Sequence, residues 1–254
     1  MTPLIGRPMG GGPLDSTAPN RLLAVLDDTR TAGALLDISC VLAELTRREL
    51  QLVYVESAAA LAAAALPTSR VLAQATACWT PLAAPDVERA WQADAGRLRA
   101  LAAQATLARA VAWSLQITRG TLRETALALQ TQSDLLLVGG SASTLGEVPR
   151  PDHRSATRPA RRDAPRSPGR QWVLALDDGS AAGQQAVAIA RQLCGALGAR
   201  LEVQHFDPTQ SGPPRLVRPD LVVMPGPWTV PRGTAGPNHR TPTLLVSRLA
   251  SPQA

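Results

Sequence analysis

Short runs of consecutive apolar residues alternate along this chain with segments whose apolar residues recur every three or four positions. The first run, RLLAVLDD, begins at Arg21 and is typical of a strand buried on both faces. Leu35, Ile38, Leu42 and Leu45 then form a helical stripe, and a second apolar run, LQLVYVES, follows. Strand, helix and strand with short connections predict a βαβ unit with parallel strands and a right-handed crossover.

The next segments extend this unit. The Ala-rich stretch Leu66–Ala108 is predicted to be helical, and VAWSLQITRG is predicted to be a third strand. Another helix is predicted to begin after Thr121, whose side chain can cap it, with Glu124 three residues on. The run SDLLLVGG is a fourth buried strand, and Gly139 and Gly140 at its end allow a sharp turn or a close approach to a ligand.

The pattern then restarts after a segment rich in Arg and Pro. QWVLALDD predicts a strand, the following helix is predicted to end on Gly198, and RLEVQHFDP, RPDLVVMPG and TPTLLVSR predict three more strands. The pairs Asp27-Asp28 and Asp177-Asp178 each close the first strand of a copy, 150 positions apart. The second copy is shorter by a helix, a strand and a helix, and the first copy has no counterpart of TPTLLV.

These patterns predict an α/β protein of two tandem parallel-sheet domains, each incomplete, with the second shorter. Residues 1–20 are predicted to be a disordered tail, residues 21–146 the first domain, and residues 171–250 the second. Residues 147–170 hold seven Arg and five Pro with few large apolar side chains, so we interpret them as a linker.

Composition narrows the possible functions. All 26 basic residues are Arg, which excludes a Walker-type phosphate loop and Schiff-base chemistry because both need Lys. No Gly-x-Ser-x-Gly elbow, catalytic pair or metal-ligand spacing is visible, so we expect a non-enzymatic protein without a metal. The longest Ala/Leu run is nine residues and no signal-peptide pattern is present, so we expect a soluble cytoplasmic protein.

The order of these motifs resembles the universal stress protein family in a tandem, degenerate UspA-like form. The resemblance implies Rossmann-like sheets, similar to adenine-nucleotide hydrolases, with a nucleotide cleft at the carboxyl ends of the strands. Asp28 and Asp178 fall where ATP-binding members place an Asp near the nucleotide's sugar. Both residues also suit the alternative role of capping the helix that follows. The other candidate nucleotide-binding residues at matching positions are Gly139, Gly140, Gly179, Ser180 and Gly226.

The chain departs from the family on the phosphate side. ATP-binding members carry Gly, two residues, Gly, nine residues, then Gly with Ser or Thr after the fourth strand. Here the first copy has GGSASTLGEVPRP, and in the second copy Pro225 and Pro227 flank Gly226. Proline removes the amide N–H on which a phosphate cradle depends, so ATP binding is not expected in either copy.

Three functions follow as hypotheses. The first is a universal-stress-protein-like stress-response or regulatory protein that acts through protein contacts or self-association, with its nucleotide loop degenerate. The second is a sensor that retains one cleft for ATP or AMP, and the third is binding of nucleic acid or another polyanion through the Arg-rich linker. Leu244, Leu245 and Val246 are predicted to complete a sheet against the first copy or to pair with a second chain, since an open apolar strand invites pairing.

Overall fold

The computed structural model describes residues 21–73, 78–139, 171–207, 219–226 and 241–247. The predicted N-terminal tail, the predicted linker and Gly140 lie outside these residues. The helices within them are α1 (Ala32–Thr46), α2 (Ala58–Ala64), α3 (Ala84–Leu107), α4 (Leu122–Gln130) and α5 (Ala181–Leu197). The strands are β1 (Arg21–Leu26), β2 (Glu49–Ser57), β3 (Arg70–Ala73), β4 (Cys78–Pro81), β5 (Trp113–Gly120), β6 (Leu135–Gly139), β7 (Trp172–Asp177), β8 (Arg200–His205), β9 (Leu221–Pro225) and β10 (Thr243–Val246).

Eight of these strands form one sheet in the order β5-β2-β1-β6-β10-β9-β7-β8. The fold is therefore α/β with a mostly parallel central sheet, as the sequence predicts. Strand β7 lies between β8 and β9 just as β1 lies between β2 and β6, so both copies place their first strand in the same surroundings. The division of the chain into two domains stays a prediction.

The two groups of parallel strands run in opposite directions. Strand β10 pairs parallel with β9 but antiparallel with β6, where Leu245 lies opposite Leu136. Strand β10 thus lies against the first copy, which is the first of the two arrangements predicted for it. Because β6 and β10 are antiparallel, the carboxyl ends of β1, β2 and β6 lie at one edge of the sheet and those of β7, β9 and β10 at the other.

The core is built on both faces of the sheet. On one face, Leu22 of β1, Leu52 of β2 and Leu244 of β10 pack with α1, α3 and α5 in a single cluster of buried side chains. On the other face, Val25 and Leu245 pack with α4. This alternation explains why the strands read as continuous apolar runs, since neighbouring residues face opposite layers and both layers are covered.

The helix predicted over Leu66–Ala108 is present in its second part as α3, but the prediction is wrong in its first part. Residues within Leu66–Ala108 form an antiparallel hairpin, β3 and β4, before α3 begins at Ala84. Pro67 and Pro81 interrupt helical hydrogen bonding, and Val71, Trp79 and Thr80 favour extended backbone. The prediction gave too much weight to the many alanines of this segment and too little to these residues.

Two large apolar side chains are exposed to solvent. Trp79 lies on the hairpin with 63% of its surface exposed. Leu45, the last member of the predicted stripe of α1, is 41% exposed, whereas Leu35, Ile38 and Leu42 are buried. The stripe therefore ends one turn earlier than the spacing predicts.

The predicted cap of α4 is confirmed. Thr121 Oγ1 accepts a hydrogen bond from the backbone N–H of Glu124 at 3.2 Å and donates to Glu124 Oε2 at 2.8 Å. We expect Thr121→Ala to lower the free energy of unfolding by about 1 kcal/mol, the usual contribution of such a cap, in urea titrations. Thr131→Ala, at the exposed other end of the same helix, is the control and should change it by less than about 0.5 kcal/mol. Equal effects of both substitutions would contradict a specific capping role.

Candidate functional site

The two aspartate pairs lie at opposite edges of the sheet. Asp27 and Asp28 follow β1, whereas Asp177 ends β7 and Asp178 follows it. Since β1 and β7 belong to the two groups of strands that run in opposite directions, the pairs cannot contribute to one site. The two aspartate pairs are therefore two separate candidate positions, one in each copy.

In the second copy, both carboxylates bind the turn that leads into α5. Asp177 Oδ1 accepts from the N–H of Gly179 at 2.9 Å, and Asp178 Oδ1 accepts from the N–H of Ser180 at 3.0 Å and from its hydroxyl at 2.6 Å. The hydroxyl of Ser180 in turn caps α5 by accepting from the N–H of Gly183 at 3.0 Å. Gly179 adopts a positive φ of 78°, which favours glycine.

In the first copy, Asp28 binds its own turn as well. Its Oδ1 accepts from the N–H of Arg30 at 2.9 Å, and its two oxygens accept from Arg30 Nε at 3.2 and 3.1 Å. The Arg30 side chain is 80% exposed. At both strand ends, the carboxylate that would face a nucleotide sugar thus makes the local contacts expected of a helix-entry turn.

Gly139 and Gly226, two of the four glycines predicted for nucleotide contact, lie where close packing leaves no room for a side chain. A Cβ on Gly139 would lie 2.8 Å from Leu35 Cδ1, so its absence lets β6 approach α1 closely. A Cβ on Gly226 would lie 2.8 Å from Gln130 Nε2 and 3.0 Å from Ser247 Oγ. The close packing around each position therefore explains why it is a glycine, without a role in ligand binding.

A cavity of about 450 Å³ lies beside the carboxyl ends of β1 and β2. Four aspartates line it, two from the turn after β1 and two from α3: Asp27, Asp28, Asp86 and Asp94. Tyr54 and Trp91 supply aromatic walls, and the remaining lining consists of Arg30 and the apolar residues Val71, Leu82, Val87 and Ala90. The cavity is thus acidic at its polar positions and apolar between them.

Two hydroxyl groups fix Asp94 at this cavity. The hydroxyl of Thr29, a residue that is 7% exposed, donates to Asp94 Oδ1 at 3.0 Å. The phenol of Tyr54 also forms a hydrogen bond with Asp94. Burial of Tyr54 raises its phenol pKa far above the usual value, and the negative charges of Asp94, Glu56 and Asp27 raise that pKa further. Tyr54 therefore stays a neutral donor and holds the Asp94 carboxylate in place.

Arginines surround the cavity on its outer side. Arg119 Nε donates to Glu56 Oε2 at 2.9 Å, and its guanidinium carbon lies 5.6 Å from the centre of the Trp91 ring. Arg89 and Arg97 form ion pairs with Asp86 and Asp94 at 2.8 and 3.4 Å, and both arginine side chains are mostly exposed. These pairs lie at the surface, where water screens them, so they only partly offset the charge of the cavity.

Sequence patterns identified only part of this cavity. Asp27 and Asp28 were found because they follow an apolar run directly. Asp86 and Asp94 were missed because isolated acidic residues in a helix are typical of its solvent-exposed face. The spacing of these two aspartates relative to Val87, Ala90 and Trp91 could have identified them, because it places all five residues toward one face of α3.

No group of three or more His, Cys, Asp or Glu side chains among the described residues has an arrangement that could hold a metal ion. In the same part of the chain, no helix combines the length and apolarity needed to cross a membrane. Cys40 and Cys194 are buried, while Cys78 is exposed on β4. Neither the known protein-family models nor the curated protein sequences include a match to this chain.

Proposed function

We propose that this protein is a tandem universal-stress-protein-like regulator that acts through contacts with other proteins and does not use ATP. In this proposal, residues 21–146 and 171–250 are two related domains whose strands have merged into one sheet. The proposal rests on the resemblance of the motif order, since β1, β2 and β6 correspond to β7, β8 and β9. The shared neighbours of β1 and β7 in the sheet support that correspondence.

The loss of ATP binding is supported by one observation above all. Asp28 and Asp178, the residues that the resemblance assigns to the nucleotide's sugar, already accept hydrogen bonds from the N–H groups of Arg30 and Ser180. A ribose hydroxyl would have to compete with these bonds. The lining of the first cavity, which has four aspartates against one arginine, also does not favour the phosphates.

Protein contact is supported by the surface of the hairpin formed by β3 and β4. Val71 and Leu72 are 44% and 42% exposed, and Trp79 is more exposed still. Tryptophan is enriched at protein interfaces because it combines a large apolar area with a polar N–H group. Leu72 and Trp79 lie opposite each other in the hairpin and therefore form an exposed apolar pair on one face, whereas Val71 lies on the other face and lines the cavity.

Thermal unfolding with ATP and magnesium tests the proposal. We expect millimolar Mg-ATP to leave the melting temperature unchanged relative to magnesium alone. A ligand present at about 100 times its Kd would stabilise the native state by about 2.7 kcal/mol, which such a measurement detects easily. A clear upward shift that Asp178→Ala abolishes would overturn the proposal in favour of a nucleotide sensor.

A further inference from the structure

Strand β8 is the last strand of the sheet and pairs only with β7 among the strands that the structure describes. Its counterpart in the first copy, β2, has β1 on one side and β5 on the other. The second copy therefore leaves open the edge that the first copy closes with a strand. An open strand edge is a template for pairing with another chain, because its outer N–H and C=O groups have no partner in the sheet.

The side chains of β8 are exposed as well. Four of its six residues are exposed, including the apolar Val203 at 36%, whereas only one of the nine residues of β2 is exposed. Helix α5 packs mainly over β7 and β9 and leaves the outer side of β8 accessible. Strand β5, at the other end of the sheet, has three exposed residues out of eight and packs against α2 and α3. The end formed by β8 is therefore the more open of the two.

Backbone hydrogen bonds show which residues of β8 point outward. The N–H of Arg200 donates to the carbonyl of Gln171 at 2.8 Å, and the N–H of Phe206 donates to the carbonyl of Asp177 at 2.9 Å, both on the side of β7. Along a strand, the N–H and C=O groups of successive residues point alternately to the two sides. The odd-numbered residues, Leu201, Val203 and His205, therefore direct their N–H and C=O groups away from β7.

This alternation suits antiparallel pairing of β8 with β8 of a second copy, about a two-fold axis at Val203. Val203 then lies opposite Val203 of the second copy, and Leu201 lies opposite His205. All the outward N–H and C=O groups find partners in this register, because these residues form the hydrogen-bonded pairs of an antiparallel ladder. Glu202 lies opposite Gln204, which places an amide donor beside the carboxylate. The edge is thus complementary to itself.

Neighbouring registers are less favourable. An axis at Glu202 would place this carboxylate opposite its own copy, and like charges directly opposite each other destabilise a strand pair. An axis at Leu201 would overlap only half of β8 and would need the N–H of Ala199, which already donates to the carbonyl of Cys194 at 3.0 Å. The sequence of β8 therefore favours the axis at Val203.

We propose that two copies of this chain pair through β8, antiparallel and with Val203 at the two-fold axis, so that their sheets continue into one. A two-fold contact uses the same surface on both chains and stops at two. A single pair of short strands buries less than the roughly 1,200 to 2,000 Å² of a stable interface, so the dimer dissociates at the low micromolar concentrations of an unfolding titration. The inference goes beyond the proposed function, which assigns no role to β8.

Sedimentation equilibrium of the full chain over a range of concentrations tests this proposal. We expect the mass to rise from one chain at low micromolar concentration to two chains at high micromolar concentration. Val203→Pro removes the N–H at the axis but no hydrogen bond to β7, and proline is tolerated in edge strands at such positions. It should weaken the dimer by about tenfold or more, because each chain loses a hydrogen bond at the axis.

Val203→Thr is the matched control, since threonine keeps the N–H and the β-branched shape. It should leave dimer affinity nearly unchanged, and circular dichroism should show that both variants keep the fold. A single-chain mass at every concentration, or equal dimer affinity in Val203→Pro and Val203→Thr, would overturn the proposal. So would a mass that rises beyond two chains, because that result indicates head-to-tail contact between β8 and another edge such as β5.

Disulfide cross-linking tests the register separately. In a chain that carries Cys78→Ser to remove its exposed thiol, Val203→Cys should form a cross-linked dimer on oxidation. The Cα atoms of a hydrogen-bonded pair are about 5.5 Å apart, which a disulfide can span. Glu202→Cys is the control, because diagonal neighbours are about 7 to 8 Å apart and should not cross-link. Preferential cross-linking of Glu202→Cys would contradict the axis at Val203.

Discussion

Replacing Leu245 with Arg is expected to cause the largest loss of stability of any single change considered for this chain. Leu245 is 1% exposed, lies opposite Leu136 and packs against the face of the sheet that α4 covers. Truncating a buried leucine to alanine already costs about 2 to 5 kcal/mol, and an unpaired buried charge adds further cost. Because domains are stable by only about 5 to 15 kcal/mol, we expect Leu245→Arg to leave much of the protein unfolded at room temperature.

Urea titration followed by circular dichroism, with solution mass measured in parallel, checks this expectation. Val203→Arg is the control, since Val203 lies on the edge strand β8 with 36% of its surface exposed. It should shift the free energy of unfolding by about 0.5 kcal/mol or less, as surface changes do. If Leu245→Arg behaves like Val203→Arg, β10 does not lie between β6 and β9 and the single sheet is wrong.

Strands β1, β6 and β7 of this fold were predictable because each is buried on both faces. The runs around Leu23, Leu136 and Leu174 are apolar without interruption, and only a strand covered by layers on both sides requires that pattern. The direction of β10 was not predictable. The sequence TPTLLV is compatible with pairing either to β6 or to another chain. Which of these forms depends on contacts between residues more than 100 positions apart.

The candidate site, like the fold, was predictable only in part. The sequence identified the aspartates that follow strands, since their position relative to an apolar run is a local feature. It did not identify the cavity, because Asp94 becomes part of a site only when α3 packs beside β2 and Tyr54 and Thr29 reach its carboxylate. Local patterns thus locate the ends of strands, while the shape and charge of a cleft depend on how distant elements pack.

Replacing Gly183 with Ala is expected to destabilise the protein, although Ala is the better helix former. Gly183 lies in the first turn of α5, beneath the two carboxylates of the β7–α5 turn. A Cβ there would lie 3.0 Å from the backbone N of Asp178, 2.7 Å from Asp177 Oδ1 and closer still to Asp178 Oδ1. To admit the methyl group, the carboxylates must move and weaken the hydrogen bonds that they accept from Gly179 and Ser180. We expect a loss of about 1 to 3 kcal/mol in urea titrations, the cost of leaving such groups unsatisfied.

The same helix supplies the control. Gly195 also lies within α5, but nothing lies within 4 Å of the Cβ that alanine would add there. Gly195→Ala should therefore stabilise the protein by up to about 1 kcal/mol, the difference in helix propensity between the two residues. The two substitutions make the same chemical change in one helix and should have opposite signs. If Gly183→Ala also stabilises, the carboxylates of Asp177 and Asp178 do not lie over the start of α5, and they would be available to a ligand.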